Sequence, residues 1–277
     1  MATIQVNFMS KSLMRTVDIQ VILPVDKLDM FGSIARETKP FKTLYLLHGV
    51  FGDYHDWIKS TRIALWAEEN NLAVVMPSGE NMFYINSNEY GGSYSTFIGE
   101  ELVEITRKMF PLSTKREDTF IGGLSMGGYG AIHNGFKYHE TFSHVVALSP
   151  ALVIKDALNS TYKEPFILRN RGFFERFFGN LENLGESDKN PNYLIHQLVT
   201  EKQDLPNLYL ACGENDDLFP ASEKFAEFLT KENVAFTYEK GPGIHDWYFW
   251  DTYIKKALDW LPLDAKTEGI HSGNVGK

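Results

Sequence analysis

The sequence predicts an α/β protein with a mostly parallel central sheet and helices on both faces. Two patterns support this fold class: short, wholly apolar runs that end at glycine, proline or serine, and amphipathic segments between them. Apolar runs without alternation are typical of strands buried on both faces. A length of 277 residues does not decide the number of domains. We predict one domain over residues 1–263, followed by a polar, non-periodic and disordered tail at 264–277.

Seven runs are predicted as strands because each is rich in apolar residues and most end at a turn signal. They occupy residues 17–23, 43–47, 73–76, 119–122, 144–148, 208–211 and 236–239. Helices are predicted from amphipathic periodicity at 63–70, 96–109, 222–232 and 250–261, with two more starting near Trp57 and Met126. The segment 96–109 has acidic residues in its early turns and Arg107 and Lys108 in its last, which complements the helix dipole.

Residues 151–205 do not show this alternation. Phe173, Phe174, Phe177 and Phe178 recur there at near-helical spacing, which predicts a helical insertion between two strands. One interpretation is a cap-like insertion over the carboxyl edge of the sheet. The other is an ordinary crossover whose extra helices only pack.

Charge and cysteine content restrict the class of protein. A net charge of -9 argues against nucleic acid or an anionic membrane as the main partner. No apolar run is long enough for a transmembrane helix, and the first residues lack the apolar segment of a secretory signal. The single cysteine, Cys212, cannot form an intramolecular disulfide and fits a reducing compartment. We therefore expect a cytoplasmic protein.

Gly123, Leu124, Ser125, Met126 and Gly127 match the pattern G-x-S-x-G. A predicted strand precedes the motif and a predicted helix follows it, as a nucleophilic serine on a sharp turn requires. The two glycines let strand and helix pass closely, and the helix N-terminus faces a developing oxyanion. The alternative is a glycine-rich turn that only joins strand to helix.

A serine hydroxyl needs an adjacent base that is itself oriented by a carboxylate. His245 follows the last predicted strand, in a glycine-rich loop at the strand end where α/β sheets form ligand sites. The alternative is a surface or capping histidine. The other histidines after Ser125 are weaker candidates for the base, because they lie in or near the helix that follows it, at a strand start, in the insertion or in the tail: His133, His139, His144, His196 and His271.

The carboxylate should follow the predicted strand 208–211. Asp216 is our first choice and Asp217 the second, while Glu214 and Asp246 are weaker candidates. Neighbouring loop residues usually point in different directions, so only one of Asp216 and Asp217 should reach the imidazole.

Acyl transfer also requires two N–H donors for the oxyanion. The N–H of Met126 is one candidate, and the N–H of Val50, in the glycine-rich loop after strand 43–47, is the other. Four nearby side chains raise the question of a metal: His48, Asp53, His55 and Asp56. Because H-E-x-x-H and cysteine pairs are absent, we predict no metal and no other cofactor. Cys212 fits a small buried residue better than a nucleophile.

Five segments together resemble the esterase D-type esterases: LLHGVFGDYHDW, MPSGENMFYIN, GGLSMGGYGA, CGENDD and GIHDWYFW. The resemblance runs from about residue 15 to 262. That group includes bacterial tributyrin esterases, feruloyl and acetyl xylan esterases, S-formylglutathione hydrolases and mycolyltransferase antigens. It implies an α/β-hydrolase fold, no cofactor and possible dimers or tetramers.

Position by position, the resemblance implies Ser125 as nucleophile, His245 as base, Asp216 as acid, and Val50 and Met126 as oxyanion donors. The family usually has one aspartate in the acid loop, whereas this chain has Asp216 followed by Asp217.

The expected activity is hydrolysis of a small-molecule, short-chain acyl ester through a Ser-His-Asp acyl-enzyme. Feruloyl or cinnamoyl ester hydrolysis is an alternative, since Phe51, Trp57, Trp247 and the phenylalanines of the insertion can line an aromatic cleft, although such residues more often belong to a core. S-formylglutathione hydrolysis comes third. Two further hypotheses are an acyltransferase and a non-catalytic binding protein on the same scaffold.

Overall fold

The computed structural model describes residues 1–26, 39–87 and 90–264. In this part of the chain eight strands form one sheet in the order β1-β2-β4-β3-β5-β6-β7-β8. Their bounds are β1 Ala2–Ser10, β2 Arg15–Leu23, β3 Thr43–Leu47, β4 Ala73–Pro77, β5 Thr119–Leu124, β6 His144–Leu148, β7 Asn207–Gly213 and β8 Phe236–Gly241. The pairs β1–β2 and β2–β4 are antiparallel and the others parallel. The predicted fold class is confirmed.

All seven predicted strands are present with small shifts of their ends, and β1 is a strand that the prediction lacked. Its residues alternate between half-buried and exposed, because β1 lies at the sheet edge and only one face is covered. Ile4, Val6 and Phe8 carry that alternation, so the signal was present in the sequence.

Ten α-helical segments lie in the described residues: α1 Asp56–Ser60, α2 Ile63–Glu69, α3 Tyr94–Thr96, α4 Leu102–Met109, α5 Met126–Lys137, α6 Ile154–Asn159, α7 Arg171–Phe178, α8 Pro191–Thr200, α9 Phe219–Lys231 and α10 Trp247–Trp260. The predicted helix at 96–109 corresponds to α3 and α4 joined by a π-helical turn, Phe97–Glu101. None of the described helices is both long and apolar enough to cross a membrane.

Alternate side chains of the central strands enter two separate cores. Tyr45 and Leu47 of β3 lie in one core with side chains from α4, α5 and α9. Leu44 and Leu46 lie in the other, with side chains from α1, α2 and α10. Helices therefore cover both faces of the sheet, as the period-two alternation of a strand requires.

The insertion between β6 and β7 contains α6, α7 and α8, so its predicted helical character is confirmed. Phe174, Phe177 and Phe178 of α7 are buried in the same core as the sheet. The ring of Phe177 stacks on Phe83 with centroids 4.2 Å apart, and Phe178 lies edge-on to Tyr129 of α5 at 6.1 Å. Phe177 thus holds the insertion against the loop after β4, and Phe178 holds it against α5. Beyond Asp264, the predicted tail lies outside the described residues.

Candidate active site

Ser125 occupies the turn between β5 and α5. Its backbone angles are φ 53° and ψ −119°, which a residue with a Cβ rarely adopts and which cost about 1–3 kcal/mol. The flanking glycines are sterically required. A Cβ on Gly123 would lie 2.3 Å from the carbonyl oxygen of Gly127, and a Cβ on Gly127 would lie 2.5 Å from that of Leu47. The turn therefore depends on both glycines of the motif.

Backbone hydrogen bonds hold the strained turn from both sides. The N–H of Ser125 donates to the carbonyl of Leu148 at 2.9 Å. The carbonyl of Ser125 accepts the N–H groups of Tyr129 at 3.0 Å and Ala151 at 2.9 Å. The turn is thus tied to the end of β6 and to α5, and this fixes where the hydroxyl emerges.

His245 connects the serine to a carboxylate. Its Nε2 lies 3.0 Å from Oγ of Ser125, and its Nδ1 lies 2.9 Å from Oδ2 of Asp216. A carboxylate can only accept, so Nδ1 carries the proton and Nε2 is free to accept the serine hydroxyl proton. The arrangement joins loops after three different strands, β5, β7 and β8.

Among the acidic candidates, the structure brings Asp216 to the imidazole. Burial by itself would raise the pKa of Asp216, but hydrogen bonds from His245, the Leu218 N–H and the Ser149 hydroxyl outweigh burial and lower that pKa. Asp217 and Glu214 are exposed. Asp246 instead caps α10 by accepting the Phe249 N–H at 2.9 Å.

Two residues that the sequence analysis did not single out support the base. The indole of Trp250 lies perpendicular to the imidazole of His245, with ring centroids 4.9 Å apart. Its N–H donates to Oγ of Ser149 at 3.3 Å. Ser149 follows β6 with φ 43° and is fully buried. The position of Trp250 five residues after His245, in the first turn of α10, was the available signal.

The two predicted oxyanion donors lie beside Ser125. Met126 is the first residue of α5, so its N–H is one of those that a helix leaves without a partner. Val50 lies in a turn closed by the Gly52 N–H on the Gly49 carbonyl at 3.3 Å. A Cβ on Gly49 would lie 3.4 Å from Cβ of Ser125, which places this turn against the serine.

His48 and Asp53, close to Val50 in the chain, have hydrogen-bond partners within the fold. His48 is buried, with Nδ1 donating to the Gly49 carbonyl at 2.7 Å and Nε2 accepting the Gly79 N–H at 2.9 Å. Burial lowers the pKa of His48, which favours its neutral form. Asp53 accepts the N–H of His55 at 2.7 Å. The described residues contain no group of three or more histidine, cysteine or acidic side chains that could hold a metal ion.

The three aromatic residues predicted to bind substrate lie in different environments. Phe51 is 73% exposed, next to Val50. Trp57 is only 1% exposed, because its indole N–H donates to the carbonyl of Leu47 at 2.9 Å and its rings pack in the core. Trp247 is half-buried and lies perpendicular to Trp57 at 5.5 Å. Trp57 is therefore a core residue, unlike the exposed Phe51.

Three other histidines that follow Ser125 in the chain have positions or partners elsewhere in the fold. His133 is buried in α5 and bonds to the carbonyl of Asp188, and burial lowers its pKa to about 4. His144 lies at the start of β6, and His196 pairs with Glu232 on the surface. His271 falls outside the described residues. Burial raises the pKa of the Cys212 thiol to about 11, so it is protonated at neutral pH.

Comparison with known proteins identifies the family. Residues 10–261 match the model of the esterase family described as "Putative esterase". The chain belongs to this family. An acetyl esterase of Caldicellulosiruptor saccharolyticus is 43% identical to it over 263 residues, which cover 94% of this chain and 98% of the relative.

Two structures of Staphylococcus aureus proteins share the fold at 34% identity, each covering 94% of this chain and 98% of its own. One is fluorophosphonate-binding serine hydrolase F in a substrate-bound state, with a TM-score of 0.81. The other is an S-formylglutathione hydrolase apoenzyme, with a TM-score of 0.79. The esterase is thus a carboxylic ester hydrolase with an α/β-hydrolase fold, and the predicted resemblance is confirmed.

Proposed function

We propose that this esterase hydrolyses short-chain acyl esters through an acyl-enzyme on Ser125. One observation carries the mechanism: His245 lies within hydrogen-bond distance of both Oγ of Ser125 and the carboxylate of Asp216. This arrangement supplies a nucleophile, a base and an orienting acid, the three parts that a serine acyl transfer needs.

In the first half-reaction, Nε2 of His245 takes the hydroxyl proton while Oγ of Ser125 bonds to the ester carbonyl carbon. The N–H groups of Val50 and Met126 hold the oxyanion of the tetrahedral intermediate. The carbon–oxygen bond to the alcohol then breaks, and the alkoxide leaves with the proton from His245. Asp216 stays ionised throughout and stabilises the imidazolium.

In the second half-reaction, water replaces the alcohol. His245 accepts a proton from the water molecule, whose oxygen attacks the acyl carbon of the ester on Ser125. When the second tetrahedral intermediate collapses, the proton returns to Oγ and the carboxylic acid departs. The net reaction is ester plus water to acid plus alcohol, with no cofactor in any step.

The proposed acyl preference rests on the relative at 43% identity, which is named an acetyl esterase. A second candidate is thioester hydrolysis, because a relative at 34% identity is named an S-formylglutathione hydrolase. Feruloyl ester hydrolysis stays a third candidate. Of the aromatic residues that suggested it, Phe51 is the one largely exposed beside the oxyanion turn, while those of α7 are mainly core.

The setting of the reaction is also proposed. A small-molecule ester suits a chain with a net charge of -9 better than a nucleic acid or an anionic membrane does. The buried, unpaired Cys212 is consistent with a cytoplasmic location. A homodimer or homotetramer is proposed from the family alone.

The test is hydrolysis of p-nitrophenyl acetate, p-nitrophenyl butyrate, methyl ferulate and S-formylglutathione by wild type and Ser125→Ala. We expect acetate to give the highest kcat/KM, and Ser125→Ala to lose about 10⁴-fold or more. Ser160→Ala is the control, because the Ser160 hydroxyl donates to the Ala157 carbonyl at the end of its own helix, and this variant should keep wild-type rates. A folded wild type that cleaves none of the four, or a Ser125→Ala that keeps its rate, contradicts the proposal.

A further inference from the structure

The loop after β4, residues 78–85, is hydrogen-bonded to the turn that carries Val50. Four side chains form these bonds, and each bond joins one loop to the other. Two of the bonds involve His48: its Nε2 accepts the Gly79 N–H at 2.9 Å, and its carbonyl accepts the Tyr84 hydroxyl at 3.0 Å. In the other two, the Phe51 N–H donates to Asn81 Oδ1 at 2.8 Å and the Tyr54 N–H donates to Ser78 Oγ at 3.2 Å.

Both loops hold strained backbone at these contacts. Phe51 has φ 65°, and Glu80, Phe83 and Tyr84 have φ between 48° and 56°. Residues with a Cβ keep such angles only where the surroundings impose them. The hydrogen bond between Phe51 and Asn81 joins one strained residue to the neighbour of another. The two loops therefore restrain each other.

The bonds fix the peptide groups on both sides of Val50. The N–H of Val50 and the carbonyl of Gly49 belong to one planar trans peptide and point in opposite directions. That carbonyl accepts from Nδ1 of His48 and from the Gly52 N–H, which sets the plane. The next peptide ends in the Phe51 N–H, which Asn81 holds. Asn81 thereby limits the remaining rotation about the φ and ψ bonds of Val50.

We propose that Asn81 is a positioning residue that aims the Val50 N–H at the oxyanion. The inference rests on the proposed function, because it assigns Val50 that role. Asn81 acts through its Oδ1 acceptor and does not touch the reacting atoms. A donor that is already oriented in the free enzyme stabilises the transition state more than the bound ester, because the charge develops only there.

The proposal predicts a loss in kcat with little change in KM. Asn81→Leu keeps the side-chain shape but removes the acceptor, and we expect kcat for p-nitrophenyl acetate to fall about tenfold, less than for loss of an oxyanion donor itself. Inhibition by butaneboronic acid, whose adduct with serine is tetrahedral, should weaken by a similar factor. Asn81→Asp keeps the acceptor and, in 0.5 M NaCl to screen its charge, should stay within about threefold of wild type.

The matched control is Asn180→Leu, because Asn180 Oδ1 also accepts a backbone N–H, that of Glu182 at 2.9 Å, in the insertion. It should keep wild-type kcat, and thermal melts of all variants separate folding from catalysis. The proposal is overturned if the kcat of Asn81→Leu lies within twofold of that of Asn180→Leu. It is also overturned if Asn81→Asp loses as much kcat as Asn81→Leu. An inactive wild type instead refutes the proposed function, so the two failures are distinguishable.

Discussion

The loops that carry Asp216 and His245 follow neighbouring strands, yet their environments differ. The side chain of Asp216 is 0% exposed, whereas that of His245 is 35% exposed. Asp216 is held by the Leu218 N–H at 2.8 Å as well as by His245, while His245 has Trp250 on one side and open solvent on another. Under the proposed mechanism, Asp216, which only orients the imidazole, is thus buried, and His245, which exchanges protons with the substrate and water, lies at the surface.

The largest expected effect separates two adjacent aspartates of the same loop. Asp216→Asn should lower kcat by about 10⁴-fold, because an amide can donate to Nδ1 and thereby stabilise the wrong imidazole tautomer. Asp217→Asn should stay within about twofold of wild type, since Asp217 is exposed. Steady-state kinetics on p-nitrophenyl acetate compare the two. Equal losses would show that burial does not identify the acid.

A smaller effect on kcat is expected from replacing Trp250, which packs against His245. Trp250→Leu removes both the ring against His245 and the N–H bond to Ser149, and we expect kcat to fall about tenfold with KM nearly unchanged. Trp250→Phe keeps a ring and should lose less. Trp66→Phe, in the core beside Arg62, is the control for a shortened buried indole. If Trp250→Phe lost more kcat than Trp250→Leu, packing of the ring against His245 could not be the cause of the loss.

The smallest effect is on acid stability. The pKa of Asp216 lies below its ordinary value of 3.8 in the folded protein, so its ionised form stabilises the fold. This contribution is complete above about pH 3.8 and is lost as pH falls through the lower folded pKa. The Tm difference between wild type and Asp216→Asn, measured in thermal melts, should therefore shrink as pH falls from 4 to 3. A constant difference down to pH 3 would contradict the lowered pKa.

Local patterns predicted most of the fold, and they singled out the three side chains that the structure brings together at the candidate site. Ser125 and His245 could be predicted because each lies at a strand end in a glycine-rich loop, where chain order narrows the choice. Asp216 and Asp217 differ in burial, a property that their shared loop sequence does not encode. The structure separates them because the Leu218 N–H turns Asp216 inward.

Other features depend on long-range packing and were not predicted. The contact of Asn81 with Phe51 joins residues 30 apart in the chain, and no pattern in either loop signals it. Trp57 is an aromatic residue of the kind that lines ligand clefts. The buried carbonyl of Leu47 at the end of β3 needs a donor, however, and the indole N–H of Trp57 donates to it. The satisfaction of a buried polar group thus decided where this aromatic residue points.

The sheet order has a consequence for biosynthesis. Ser125 and His245 are 120 residues apart, and β8, which leads into the histidine loop, pairs within the described sheet with β7 at the edge. A ribosome therefore synthesises the serine turn well before the segment that contains His245. Under the proposed mechanism, nascent chains that end before residue 245 carry Ser125 without the histidine that activates it, so esterase activity is expected only from chains that extend past His245.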